Sequence, residues 1–146
     1  MTNVDYKKEQ ISSAEWQVMR IIWSLGQVTT TELISYLNKK ESWRPSTIKT
    51  LVMRLERKGY LTDDGVSRGR KFKALVPEDS AMLQAGQDLF AAMCAMKNGM
   101  VLTDLLQKVD LSKDDIDKMI AVLQKKSVDA PNMVACNCLP GRKGNC

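Results

Sequence analysis

Three of the four cysteines, Cys136, Cys138 and Cys146, fall in the last eleven residues, "CNCLPGRKGNC". A Cys-x-Cys pair and a further Cys on a Gly- and Pro-containing loop present three soft ligands. Thiolates select Cu(I), Zn(II) or iron–sulfur centres. The chain has no histidine, so a tetrahedral zinc site needs a fourth sulfur, from Cys94 or a second chain. Cu(I) accepts two or three thiolates and fits three cysteines with less strain. A redox-sensitive or an incidental tail are the alternatives. The start, "MTNVDYKKEQ", has no apolar run, and no later stretch approaches the length of a membrane span. The expected setting is therefore the cytoplasm, away from membranes, where thiols stay reduced and act as ligands or redox groups rather than disulfide partners.

A second group of residues suits a polyanion. In "RPSTIKTLVMRLER", Ile48, Leu51, Val52 and Leu55 recur at helical spacing and are expected to be buried. Thr47, Lys49, Thr50 and Arg54 then point away from that face, with Ser46 at the helix start. Hydroxyls and an Arg can bond base edges, and a Thr methyl can touch a thymine methyl. Downstream, Arg68, Arg70 and Lys71 make a compact basic tip suited to phosphates or a minor groove. Charge placement agrees. Residues 1–76 hold 14 Lys/Arg against 8 Asp/Glu, whereas residues 77–146 hold 8 against 9. A basic excess confined to one segment suggests a polyanion facing it, although many charge runs are only solvated surface.

The elements that must carry these residues are legible from their ends. "ISSAEW" offers Ser12 as N-cap with Glu15 at the capping-box position, opening a helix to about Leu25, where Gly26 stops it. "VTTTEL" repeats the device with Thr29 and Glu32 and predicts a short second helix to about Leu37. Pro45 opens the third helix and Gly59 closes it. Tyr60 to Thr62 reads as a strand, Asp64 to Gly69 as a loop and Lys71 to Val76 as a returning strand. After Pro77 the pattern is helical only: one long helix from about Asp79 to Met96, with Cys94 inside it as a structural thiol. A second helix carries Leu102, Leu105, Leu106 and Val109, and a third is capped by Ser112 and Asp115. Beyond "VDAPN" the cysteine tail is expected to pack against nothing.

Three helices followed by a two-stranded hairpin is the order of a winged helix-turn-helix, whose third helix lies in the major groove. The fold class expected is mostly α with a small β-hairpin: a winged helix-turn-helix domain, a three-helix dimerisation region and a Cys-rich tail. An enzyme is not expected. The commonest general base, histidine, is absent, and no Gly-rich phosphate loop or nucleophile elbow appears.

On the stretches "SSAEWQVMRIIWSLGQVTTTELISYL", "WRPSTIKTLVMRLERKGYL" and "RGRKFKALV", the chain resembles the penicillinase-repressor (BlaI/MecI) family of winged-helix transcription repressors. "NGMVLTDLL" and "LSKDDIDKMIAVLQKK" are similar to that family's dimerisation helices. The tail is similar to that of the copper-responsive, CopY-type branch, though with one complete Cys-x-Cys pair instead of two. The resemblance implies a homodimer on an inverted-repeat operator in double-stranded DNA, with half-sites of the TACA type. It also implies release by Cu(I) at Cys136, Cys138 and Cys146, displacing Zn(II) where zinc is held in the DNA-bound form. The antibiotic-responsive branch is instead released by proteolysis at an Asn-Phe bond. Thr103 and Asp104 stand at the matching positions here, which argues against release by cleavage.

The expected organisation is a DNA-binding domain at 1–76, a helical dimerisation region at 77–128 and a metal-sensing tail at 129–146. The expected function is copper-responsive repression. Its rivals are a β-lactam-responsive repressor of the same fold and a cytosolic metal-buffering or redox protein.

Overall fold

The structure is a computed structural model that describes residues 9–141. Its elements are α1 (Ser13–Leu25), β1 (Gln27–Thr29), α2 (Thr30–Lys40), α3 (Pro45–Arg57), β2 (Leu61–Asp63), β3 (Lys71–Ala74), α4 (Glu78–Ala91), α5 (Asn98–Lys108) and α6 (Lys113–Ser127). A short 3-10 turn, Ala95–Lys97, precedes α5. The chain divides into two compact units between Ala85 and Gly86, inside α4.

The helix starts follow the sequence. Ser12, Thr29 and Ser112 each accept the backbone N–H three residues on, and Glu15, Glu32 and Asp115 each reach back to the N-cap N–H. Such reciprocal bonds satisfy donors that a helix cannot pair internally. Pro45 sits at the first position of α3, where its missing N–H costs nothing.

The core of the first unit is built from one stripe of each helix. Val18, Met19 and Ile22 of α1, Leu33 and Leu37 of α2, and Ile48 and Leu55 of α3 are fully buried. Val28, Leu61 and Phe72 close it from the sheet. That sheet has three antiparallel strands in the order β1-β3-β2, not the two of a simple hairpin. Val28 pairs with Phe72 in β1, a strand of three residues. A strand that short shows no period, and Thr29 also caps α2, so the local pattern reads only as a helix start. The hairpin strands are also displaced from expectation, to Leu61–Asp63 and Lys71–Ala74.

The second unit departs further. The helix after Pro77 ends at Ala91 rather than near Met96, and Cys94 has an extended backbone (φ −59°, ψ 120°). Cys94 therefore lies at a break between helices, not inside one. The break leaves the Ala95 N–H without a helical partner, and Asn137 Oδ1 accepts it at 2.9 Å. The tail thus packs, against expectation. Helices α5 and α6 bury no residue of their own. Leu102, Leu106, Met119, Val122 and Leu123 stand exposed around an apolar groove of about 400 Å³. Among the described residues no single helix is long and apolar enough to cross a membrane.

Candidate nucleic-acid interface

Burying Ile48, Leu51, Val52 and Leu55 fixes which side of α3 faces outward. Ser46, Thr47, Lys49, Thr50 and Arg54 are all exposed on the remaining arc. The Thr50 hydroxyl donates to the Ser46 carbonyl at 2.9 Å, so its lone pairs face outward as acceptors. Met53 stands 70% exposed beside them, four residues after Lys49. The sequence reading passed over it, and its signal was an apolar residue off the buried period. A methionine there offers a polarisable, adaptable contact on an otherwise polar face.

The wing between β2 and β3 is shaped by its acids as much as its bases. Asp63 Oδ1 accepts the Gly65 N–H at 2.7 Å, and Asp64 Oδ1 accepts the N–H groups of Val66 and Lys71 at 3.1 and 3.3 Å. Gly65 and Gly69, at φ +72° and +65°, supply the left-handed turns. Arg68 and Lys71 are exposed. Arg70 is also exposed but partly engaged: its Nε donates to the Val66 carbonyl at 3.0 Å and lies 3.7 Å from Asp63 Oδ1. At the base of the wing, partial burial and the neighbouring Asp63 hold the Glu56 carboxyl above its ordinary range, with Arg70 offsetting them. Arg70 therefore braces the wing, while Arg68 and Lys71 extend from it.

Behind this face, α3 is tied to α1 through Lys58 and Glu15. Burial raises the Glu15 carboxyl, but hydrogen bonds from Lys58 and from the Ser12 hydroxyl and N–H outweigh it and bring the group below its ordinary range. The Trp23 indole donates to the Val76 carbonyl at 2.8 Å and its ring lies 5.6 Å from that of Trp16. Both tryptophans are half-buried and anchor the first helix.

A separate cluster forms where the tail meets the helix break. The sulfurs of Cys94, Cys136 and Cys138 all lie within 4.8 Å of one another, with Cys94 and Cys136 at 3.7 Å. Cys136 is disulfide-bonded, so the thiols of the cluster are those of Cys94 and Cys138. Burial raises the Cys94 thiol, yet the Cys138 hydrogen bond, the N–H groups of Met96 and Lys97 and the Lys97 charge bring it below the usual thiol range. Cys138 is correspondingly raised, chiefly by Cys94. Cys146 lies outside the described residues.

A family model described as "Penicillinase repressor" matches residues 11–125. The chain is 45% identical over 133 residues to the "Uncharacterized 16.5 kDa protein in ptsI 3'region" of Latilactobacillus sakei, covering 91% of each chain. It is 32% identical over 120 residues to the penicillinase repressor of Bacillus licheniformis, covering 82% of this chain and 93% of that one. It is 29% identical over 123 residues to the methicillin resistance regulatory protein MecI of Staphylococcus aureus strain N315, covering 84% and 100%.

These relatives correct the copper reading. The two whose names state a role regulate penicillinase and methicillin resistance, and neither is named for a metal. The expectation of Cu(I), or Zn(II), on Cys136, Cys138 and Cys146, and of metal homeostasis as the role, is set aside on that ground.

Proposed function

Because the chain belongs to the penicillinase-repressor family of winged-helix DNA-binding repressors, we propose that it represses transcription by gripping an inverted-repeat operator as a homodimer. It is a DNA-binding regulator, not an enzyme. The observation that carries this reading is the outward arc of α3, with Ser46, Thr47, Lys49, Thr50 and Arg54 all exposed over a buried apolar stripe. A helix so divided can enter a major groove without uncovering its core. Arg68, Arg70 and Lys71 on the wing would meet backbone phosphates alongside. Residues 1–76 would read the DNA, in the cytoplasm, and residues 77–128 would join the protomers.

The dimerising role of the helical half rests on its unfilled surface. Helices α5 and α6 bury nothing of their own and leave a row of Leu, Met and Val side chains in water. A two-fold dimer would cover that row and place two reading helices for two half-sites. The proposed signal is the one the relatives' names indicate, β-lactam resistance, with release by a cut that parts the winged from the helical half. Parted halves lose the high effective concentration with which one bound half-site presents the second. Thr103 and Asp104 lie in α5 where the family pattern has Asn-Phe, so the cut is expected at a different bond.

Sedimentation and gel shift on DNA selected by binding test this division. The full chain should be dimeric and occupy two half-sites, while residues 1–76 alone should be monomeric and bind weakly. A dimeric 1–76 fragment, or full-length protein with no preference for any duplex, would refute it.

A further inference from the structure

The sulfur cluster belongs to the second unit, Gly86–Cys146. Cys94 is half-buried at the break before α5, and Cys138 is exposed on the tail. Asn137 Oδ1 holds the tail to the helix break by accepting the Ala95 N–H at 2.9 Å, and within the tail the Cys138 N–H points to Cys136 Sγ at 3.4 Å. The two thiols therefore meet through pinned backbone, 44 positions apart in sequence. With Cys136 already disulfide-bonded, they are the thiols of the cluster.

We propose that Cys94 and Cys138 are an oxidisable pair, closed to a disulfide by hydroperoxides. The Cys94 sulfur attacks one peroxide oxygen and the O–O bond breaks. Cys94 becomes a sulfenic acid, and the other oxygen leaves with the thiol proton as water or, from an organic hydroperoxide, as an alcohol. The exposed Cys138 sulfur then attacks the Cys94 sulfur, the S–O bond breaks, and the departing hydroxide takes the Cys138 proton as water. Two thiols lose two electrons and two protons, and the peroxide is reduced. Sulfurs within 4.8 Å must approach to about 2 Å, a distance that side-chain rotation and a small tail shift cover.

The new bond would close a loop holding all of α5 and α6. A cross-link over so long a loop restricts the unfolded chain and raises the melting temperature of the segment it encloses. A peroxide-oxidised protein should thus hold its helical half more firmly, and a dithiol reductant should reverse the change. Cytosolic disulfides of this kind are usually transient and redox-sensing.

Hydrogen peroxide added to the full chain, followed by alkylation and peptide mass mapping, tests the pairing. The expected product joins the Cys94 peptide to the Cys138 peptide, lighter by two hydrogens than its reduced parts. It should vanish in Cys138→Ser, a change on the exposed tail that leaves the helices untouched, and form several-fold more slowly in urea. Over-oxidation of Cys94 beside an alkylatable Cys138 would overturn the proposal. So would cross-links found only between chains, or an equal rate in urea.

Discussion

Lys58, the C-cap of α3, donates to Glu15 of α1 across 3.0 Å, with side chains only 10% and 3% exposed. Lys58 also donates to the Gln10 carbonyl at 3.0 Å. The pair ties the C-terminal end of α3 to α1. Removing one partner should therefore be costly, because the other is left buried and charged. Lys58→Met is expected to lose about 3–5 kcal/mol in urea unfolding, and the double change Glu15→Leu with Lys58→Met should recover much of it.

The same pair sets an acid limit. The Glu15 carboxyl is lowered in the folded state, by Lys58 and Ser12 against the opposing effect of burial. Its contribution is thus fully present above the unfolded carboxyl value, about pH 4.3. It is lost as pH falls through the folded value. Thermal unfolding across pH 3 to 7 should show wild type losing stability on acidification, with a smaller loss in Glu15→Gln. Parallel curves would remove Glu15 from the acid transition.

On the wing, Arg68 and Arg70 should separate. Arg68 is exposed, whereas Arg70 braces the loop through Val66 and Asp63. Arg68→Ala should weaken binding to every duplex alike and flatten the slope of log K against log salt by about one unit, the signature of one lost phosphate contact. Arg70→Ala should weaken binding and also loosen the wing, seen as faster hydrogen exchange at Gly65 and Val66. Unchanged exchange there would reduce Arg70 to a phosphate contact alone.

The exposed row on α5 and α6 should behave as an interface. Leu106→Glu, in the apolar groove with Met119 and Leu123, is expected to shift sedimentation from dimer to monomer without loss of helix signal. Operator affinity should fall while the affinity of the isolated 1–76 fragment is unaffected. A dimer that survives the charge would place the contact on another face.

Local chemistry made most of the first half legible. Ser12, Thr29 and Pro45 each mark a helix start within a few residues, and the period of Ile48, Leu51, Val52 and Leu55 gives the buried side of α3. Contacts between distant residues were not legible. Strand β1 exists because Val28 pairs with Phe72, and three residues carry no period of their own. The break at Cys94 frees the Ala95 N–H, whose acceptor Asn137 lies 42 positions further on, and no Gly or Pro announces it. The metal expectation rested on the Cys-x-Cys clustering and on thiols staying reduced, and with Cys94 placed inside a helix nothing in the pattern brought it beside Cys136 and Cys138. The wing's acids were likewise missed: Asp63 and Asp64 build the turn that presents Arg68, a role visible only once their oxygens are placed.

The central claim, that α3 reads bases while the wing holds phosphates, is tested most directly by comparing Arg54→Ala with wild type on the selected operator and on random duplex at one salt concentration. If Arg54 bonds a base edge, its loss should cost about 1–3 kcal/mol on the operator and little on random DNA, narrowing the ratio between them. Equal weakening on both would make Arg54 a phosphate contact and shift base reading elsewhere. Unchanged binding to both would remove this face of α3 from the interface altogether.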